Sequence, residues 1–167
     1  ERAWFRGSAA HNTIRVDKRD QGRQDGPFRW ASKPETGVEK WEVDSARTRL
    51  EAFCRYEGFT HRRRILLEPG HLLVVDDIEG PPGEHVCEQV WQLGPAAGKV
   101  KLEFSAPAAA SKSRFSPIYG TRCPGTAMVA SVTGQLPLRL AMLLETGEAP
   151  GLSVEEAVRR LDLKSAC

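Results

Sequence analysis

Arg47-Thr-Arg-Leu-Glu-Ala-Phe-Cys-Arg-Tyr-Glu57 is the stretch on which the fold turns. Thr48, Leu50, Ala52, Cys54 and Tyr56 share one phase of an extended chain, and Arg47, Arg49, Glu51, Arg55 and Glu57 share the other. Phe53 alone breaks the pattern. Side chains of a strand alternate between its two faces, so this period of two predicts a half-buried strand with a wet outer face. Just upstream, Val38 to Asp44 reads the same way with Trp41 and Val43 directed inward, and Asp44-Ser45 predicts a short bend between the two strands.

Working further outward, His61–Glu68 and His71–Ile78 are apolar runs separated by Pro69-Gly70, a strong hairpin signal, with Gly80-Pro-Pro-Gly83 closing the hairpin. Glu84–Leu93 alternates again and places His85, Cys87, Gln89, Trp91 and Leu93 on one face. Val100, Leu102 and Phe104 mark another short strand. Ala106–Ser113 is small and loosely patterned and reads as an exposed loop, followed by an ordered corner at Ser116-Pro-Ile-Tyr-Gly120. Thr126–Thr133, Gly134-Gln135 and Leu136–Glu145 read as a further hairpin, with Pro137 near its start. Only the tail departs from period two: Ser153-Val-Glu-Glu156 is a capping box, and Val154, Val158 and Leu161 share a helical face, predicting a helix from Ser153 to Leu163. Nine or ten short strands with closely spaced turns predict a mostly β fold, an antiparallel two-sheet β-sandwich with a short C-terminal helix, as a single domain over residues 1–167.

Composition narrows the function classes. The chain of 167 residues carries 24 basic and 22 acidic side chains, a net charge of +2, which gives no global drive toward nucleic acid or a membrane surface. Basic residues cluster locally at Arg2, Arg6, Arg15, Lys18, Arg19 and Arg23 and at Arg62-Arg63-Arg64, although charge runs are more often solvated faces. The apolar runs are too short to span a bilayer as helices. Cys54, Cys87, Cys123 and Cys167 form no CxxC pair, which argues against a zinc ribbon or a thioredoxin-type site and leaves the redox compartment open. The chain starts at Glu1 rather than Met and reads as a piece of a longer protein.

The glycine-rich nucleotide loops, the GxSxG elbow and the HExxH zinc motif are all missing, so the four histidines are the main candidates for proton transfer or metal binding. His71 reads as a turn residue and His85 as part of an alternating strand. His61 heads His61-Arg62-Arg63-Arg64, where a neutral imidazole could bind a metal or orient a neighbour, and Asp25 and Asp44 are candidate oxygen ligands beside it. His11 and Asn12 follow a bend of small residues, Gly7–Ala10. Such bends can carry a site held in place by a rigid sheet, or can be turns whose Asn caps its own backbone.

Taken in order, several segments resemble the C-terminal β-domain of the heparinase II/III-like polysaccharide lyases. They are Arg6-Gly-Ser-Ala-Ala-His11-Asn12-Thr13 with Val16-Asp17 and Asp20-Gln21; Tyr56-Glu-Gly-Phe-Thr-His61-Arg-Arg63; Leu73-Val-Val-Asp76-Asp77-Ile-Glu-Gly80; Trp91-Gln-Leu-Gly-Pro95; Phe115-Ser-Pro-Ile-Tyr119-Gly120; and Leu136-Pro137-Leu138. The resemblance covers residues 2–146. It implies β-elimination on uronic-acid polysaccharides, with an N-terminal α/α-toroid supplying a Tyr and an Asn or further His, and the β-domain supplying the His of the His-Asn-Thr motif. By that match His11 is the catalytic candidate, as base or stabiliser of the uronate. Asn12, which also suits a role in holding the bend, joins Arg6 and Arg62 as a substrate-binding candidate. The resemblance further implies one structural divalent metal, zinc or calcium, with His61 as the position carried over; Asp25, whose neighbourhood matches no motif of the family, joins it as a metal candidate by residue type. It also implies a structural Tyr119 and a periplasmic or secreted parent. Without a toroid the chain alone is expected to be inactive, with an acidic polysaccharide and that toroid as its partners and neither nucleic acid nor membrane insertion. The competing expectation is a non-catalytic carbohydrate-binding or structural β-sandwich, in which Trp4, Trp30, Trp41 and Trp91 offer stacking platforms. A third is a parent that retains only the fold.

Overall fold

A computed structural model describes residues 2–94, 97–147 and 151–163. In chain order these form α1 (Arg2–Arg6), β1 (Thr13–Val16), β2 (Arg23–Asp25), β3 (Arg29–Ser32), β4 (Glu35–Val43), β5 (Thr48–Tyr56), β6 (Phe59–Glu68), β7 (His71–Glu79), β8 (Glu84–Leu93), β9 (Val100–Phe104), β10 (Ala108–Phe115), β11 (Cys123–Gln135), β12 (Leu138–Thr146) and α2 (Val154–Leu163). A six-stranded antiparallel sheet in the order β4-β5-β6-β7-β12-β9 faces a four-stranded sheet in the order β1-β8-β11-β10, and β2-β3 forms a small ribbon. The two-sheet sandwich expected from the period-two pattern is the fold observed.

Turn chemistry explains the hairpins. Between β5 and β6 the central residues Glu57 and Gly58 both adopt positive φ, 48° and 86°, the conformation whose twist suits a two-residue hairpin. Gly70, at φ 81°, completes the Pro-Gly turn between β6 and β7. The Gly80–Gly83 segment does not close that hairpin. It carries the chain from β7 in the large sheet to β8 in the small one.

The large sheet is buried on both faces at its centre. On its inner face Ile78 and Leu140 pack with Ile14, Val16 and Cys87 of the small sheet, while Val74 and Met142 pack with Trp91. On its outer face Leu66, Leu73, Val75, Ala141 and Leu143 receive Val154, Ala157 and Leu161 of α2. Double burial is why β7 and the centre of β12 read as unbroken apolar runs instead of alternating. The helix begins as expected: Ser153 Oγ accepts the Glu156 N–H at 3.2 Å, and Glu103 accepts the Val154 N–H at 3.0 Å.

Further expectations need correction. Thr126–Thr133 and Leu136–Glu145 do not form a hairpin: β11 joins the four-stranded sheet and β12 the six-stranded one, so Leu136-Pro137 carries the chain between the sheets. The outer phase of β5 is not uniformly wet, because Arg49 is buried and ion-paired to Glu51 at 2.7 Å. Trp41 and Val43 pair opposite Leu50 and Thr48 on the inner phase, as expected, yet they are about two-thirds exposed. The four-stranded sheet is narrower than the six-stranded one, and β4, at the edge of the larger sheet, contributes no residue to the core clusters among the described residues. The segment read as a loop at Ala106–Ser113 contains most of β10, an edge strand whose small and polar side chains leave no apolar phase to detect.

Candidate functional site

The His11–Asn12 bend is built by short-range backbone bonds and then tied down from three directions. A helical turn and a tight 3-10 turn are closed by Gly7 N–H to the Trp4 carbonyl, Ala10 to Gly7 and His11 to Ser8, each at 3.0–3.1 Å. From one side, Asp20 accepts the Ser8 N–H at 2.7 Å and the buried Ser8 hydroxyl accepts the Gln21 N–H at 2.9 Å. A Cβ on Gly7 would come within 3.1 Å of both Asp20 carboxylate oxygens, so the small residue keeps this approach open. From β8, the Gln92 N–H donates to Asn12 Oδ1 at 2.7 Å and Gln92 Nε2 donates to the Ala9 carbonyl at 2.7 Å. From β6, Arg63 Nη1 donates to the Asn12 carbonyl at 2.6 Å.

Arg63 is itself fixed by a carboxylate in the core. Asp76, with no exposed surface, accepts from Arg63 Nε at 2.7 Å and Nη2 at 2.9 Å, from His61 Nε2 at 2.7 Å and from Gln89 Nε2 at 2.7 Å. Burial alone would raise the Asp76 carboxyl; the Arg63 guanidinium and the His61 ring more than reverse this and hold it well below the usual carboxylate range. Four donors on one buried carboxylate leave it well satisfied, the condition under which a buried charge is tolerable. The Arg63 guanidinium also lies 5.6 Å from the Trp91 ring centroid. The chain of contacts Asp76–Arg63–Asn12–Gln92 therefore runs from the core of the large sheet, across the sandwich, to the bend.

His11 is exposed, and its Nε2 lies 3.1 Å from the Phe5 carbonyl oxygen. A carbonyl can only accept, so Nε2 carries the hydrogen in this bond. The neutral ring then keeps its lone pair on Nδ1, the form a general base requires.

The remaining candidates fall elsewhere. Arg6 packs over the Trp30 ring at 4.3 Å and donates to the carbonyls of Gly26, Pro27 and Arg29, so it staples α1 to the β2-β3 ribbon. Arg62 is one residue from Arg63 and so lies on the opposite face of β6, paired with Glu39 at 2.8 Å; the structure does not bring it to His11. His61 is buried against Asp76. Asp25 lies in the ribbon and pairs with Arg29 at 3.0 Å, and Asp44 accepts the Ala46 and Arg47 N–H groups of its own turn. Among the described residues no group of three or more His, Cys, Asp and Glu side chains could hold a metal ion. The described donors thus do not assemble the ligand set expected around His61 and Asp25. Tyr119 is fully exposed, so it is no packing corner. Tyr56 lies in the core against Phe59, where burial pushes its phenol far up.

The sequence assigns no role to Gln92 or Gln89, and it shows Arg63 and Asp76 only as members of a basic cluster and of segments matching the family. The usable signal was the acid after the apolar run Leu72–Val75, which places a charge on the inward phase of a strand.

Residues 1–149 match the family described as Heparinase II/III-like, C-terminal. The chain belongs to that family. Among solved structures similar to this heparinase II/III-like domain, a heparinase III superposes with a TM-score of 0.69 at 16% identity, over 87% of this chain and 25% of its own. The heparan sulfate lyase HepC from Pedobacter heparinus gives a TM-score of 0.67 at 17% identity, over 90% of this chain and 26% of its own. The chain thus spans about a quarter of the length of these solved proteins, and at such identities the likeness carries the fold alone. No curated protein matches the chain. No helix among the described residues is long and apolar enough to cross a membrane.

Proposed function

We propose that this heparinase II/III-like domain is the β-sandwich part of a polysaccharide lyase that cleaves uronic-acid-containing polysaccharides by β-elimination. The observation that carries this reading is His11: an exposed imidazole, fixed in one tautomer, on a bend braced by Asp20, Gln92 and Arg63. In the reaction, Nδ1 of His11 takes the proton from C5 of the uronate. The electron pair forms the C4–C5 double bond, the bond from C4 to the glycosidic oxygen breaks, and that oxygen leaves with a proton. C5 is a weak acid until the neighbouring carboxylate is neutralised, so donors beside the uronate lower the barrier by stabilising the charge that develops there.

Neither tyrosine of this chain suits the acid role, since Tyr56 is sealed in the core and the exposed Tyr119 has no contact with the bend among the described ring contacts and hydrogen bonds. On this reading an α/α-toroid elsewhere in the parent protein supplies that acid and the second wall of the cleft, and the 167-residue chain alone is inactive. The parent then acts where such polysaccharides are met, in the periplasm or outside the cell.

The test is to follow absorbance of the unsaturated product from heparan sulfate and alginate, for the chain alone and joined to a helical toroid domain. His11→Ala in the joined protein is expected to lower turnover by at least about a hundredfold, the usual scale for loss of a general base, with the fold kept. Undiminished turnover removes His11 from the mechanism. Robust lysis by the chain alone removes the requirement for a second domain. Exposed Trp41 favours a second reading, a non-catalytic carbohydrate-binding sandwich, which predicts binding with no turnover in either form.

A further inference from the structure

The far end of the small sheet carries a second concave feature. Where β10 and β11, paired up to Phe115 and Cys123, meet their connecting loop, a cleft of about 530 Å³ opens, lined by Lys112, Ser113, Arg114 and Arg122 among others, and no carboxylate lines it. Most arginines of this chain are committed: Arg15, Arg19, Arg29, Arg47, Arg49, Arg55, Arg62, Arg63, Arg64, Arg139 and Arg160 all pair with carboxylates. Lys112 and Arg114, both exposed, have no such partner among the described residues. Their charge is therefore not neutralised by a carboxylate among the described residues. Tyr119, whose ring is fully exposed, sits in the loop that joins the two strands forming this cleft.

The cleft and the bend are linked. Ser113, between Lys112 and Arg114 and therefore on the opposite face of β10, donates its hydroxyl to Gln92 Oε1, and the same Gln92 holds Ala9 and Asn12, so the strand that carries the cleft's cations also braces the bend. In the order β1-β8-β11-β10, β10 lies two strands from β8, roughly 10 Å at the usual strand spacing.

We propose that this cleft is a binding subsite for the oxyanions, sulfate or carboxylate, of an acidic polysaccharide, with Arg114 and Lys112 meeting the charge and Tyr119 stacking on a sugar ring. A guanidinium fork matches a planar or tetrahedral oxyanion with two parallel hydrogen bonds, and an exposed phenol ring offers a flat apolar face to the C–H side of a sugar. The proposal rests on the preceding reading only for its choice of ligand.

The test measures binding of the 167-residue chain to heparan sulfate, to alginate and to neutral dextran by affinity electrophoresis at low and physiological salt. The charge-reversed pair Lys112→Glu, Arg114→Glu is expected to bind the anionic polymers at least about tenfold more weakly, the scale of one lost charge-assisted hydrogen bond. Tyr119→Ala is expected to weaken both polymers while leaving the salt dependence intact. A matched reversal on the remote edge, Lys40→Glu with Arg47→Glu, is expected to leave binding near the parent value, and far-UV circular dichroism checks that each variant is folded. Loss for both anionic polymers assigns the site to oxyanions in general, and loss for heparan sulfate alone assigns it to sulfate. Unchanged binding in the cleft variant, or an equal loss in the remote pair, overturns the proposal. Binding lost in the cleft variant while the chain joined to a toroid domain shows no lysis keeps the subsite and removes the lyase reading; lysis by the joined protein with unaltered binding in that variant does the reverse.

Discussion

Arg63 reaches across the sandwich to Asn12, donating to its carbonyl oxygen at 2.6 Å while two other guanidinium nitrogens hold Asp76. One side chain thus ties the candidate site to the core. Truncating it strands Asp76, a carboxylate with no exposed surface, on His61 and Gln89 alone. Removing one partner of a buried ion pair costs about 3–5 kcal/mol. Arg63→Ala is therefore expected to lower the free energy of unfolding in urea by that order. Arg63→Lys keeps a charge but cannot bond both Asp76 and Asn12 with a planar fork, so it is expected to lose less stability while still loosening the bend.

Acid sensitivity follows from the same carboxylate. The folded-state pKa of Asp76 is depressed below that of an unfolded aspartate, about 3.9, because Arg63 and His61 outweigh its burial. A depressed carboxylate contributes stability that is present above the unfolded pKa and fades as pH falls below it toward the folded value. Wild-type stability is thus expected to fall steeply below about pH 4. Asp76→Asn is expected to be less stable near neutrality, and its stability to fall less between pH 5 and the acid limit. Parallel slopes for the two proteins in pH-dependent urea unfolding would remove Asp76 as the source.

Much of this was legible beforehand and some was not, for identifiable reasons. The alternation in Thr48–Tyr56, the Pro69-Gly70 turn and the Ser153 cap each report a local geometry that the chain itself dictates. How far the opposing sheet extends is not local, so Trp41 and Val43 were placed on the correct phase but with the wrong burial. His61 and the two residues after it were visible as a cluster. Their roles were not, because alternation sends Arg63 inward to Asp76 and Arg62 outward to Glu39, and each acid comes from a different strand. Asp25 was matched to His61 by type alone, and type does not tell which sheet a residue joins.

The His11 tautomer is open to direct measurement. With Nε2–H donating to the Phe5 carbonyl, Nδ1 of the neutral ring is unprotonated. Nitrogen-15 spectra at high pH are expected to show His11 Nδ1 at a pyridine-like shift and Nε2 at a pyrrole-like shift. The opposite pattern would remove the argument for Nδ1 as the base.

Helix α2 is held to the large sheet by apolar burial in the middle and a ring of charges at its end. Arg64 Nη1 and Arg139 Nη1 hold Asp162 at 2.7 and 3.0 Å, and both arginines also reach Asp77. Leu161 is almost fully buried against the sheet. Leu161→Ala is expected to cost about 2–5 kcal/mol, as for other buried Leu truncations. Removing residues 152–167 would uncover Leu66, Leu73, Val75, Ala141 and Leu143, and the shortened chain is expected to bind a hydrophobic dye and to self-associate in sizing chromatography.

Gly80 marks a place where the sandwich closes too tightly for a side chain. A Cβ there would lie 2.4 Å from Phe59 Cδ1 and 2.9 Å from Leu136 Cδ1, and the φ of Gly80 is not positive, so close packing explains the glycine. Phe59 has little room to yield, being packed edge-on against His85 and beside Tyr56 in the inter-sheet core. Overpacking of this kind costs about 1–3 kcal/mol, so Gly80→Ala is expected to destabilise within that range. Phe59→Leu alone is also expected to destabilise, by leaving space beside Tyr56. Together the two changes relieve the clash and fill part of that space, so the double variant is expected to lose less than the sum of the single losses. Additive losses in urea unfolding would mean that the backbone at Gly80, and not its contact with Phe59, sets the requirement.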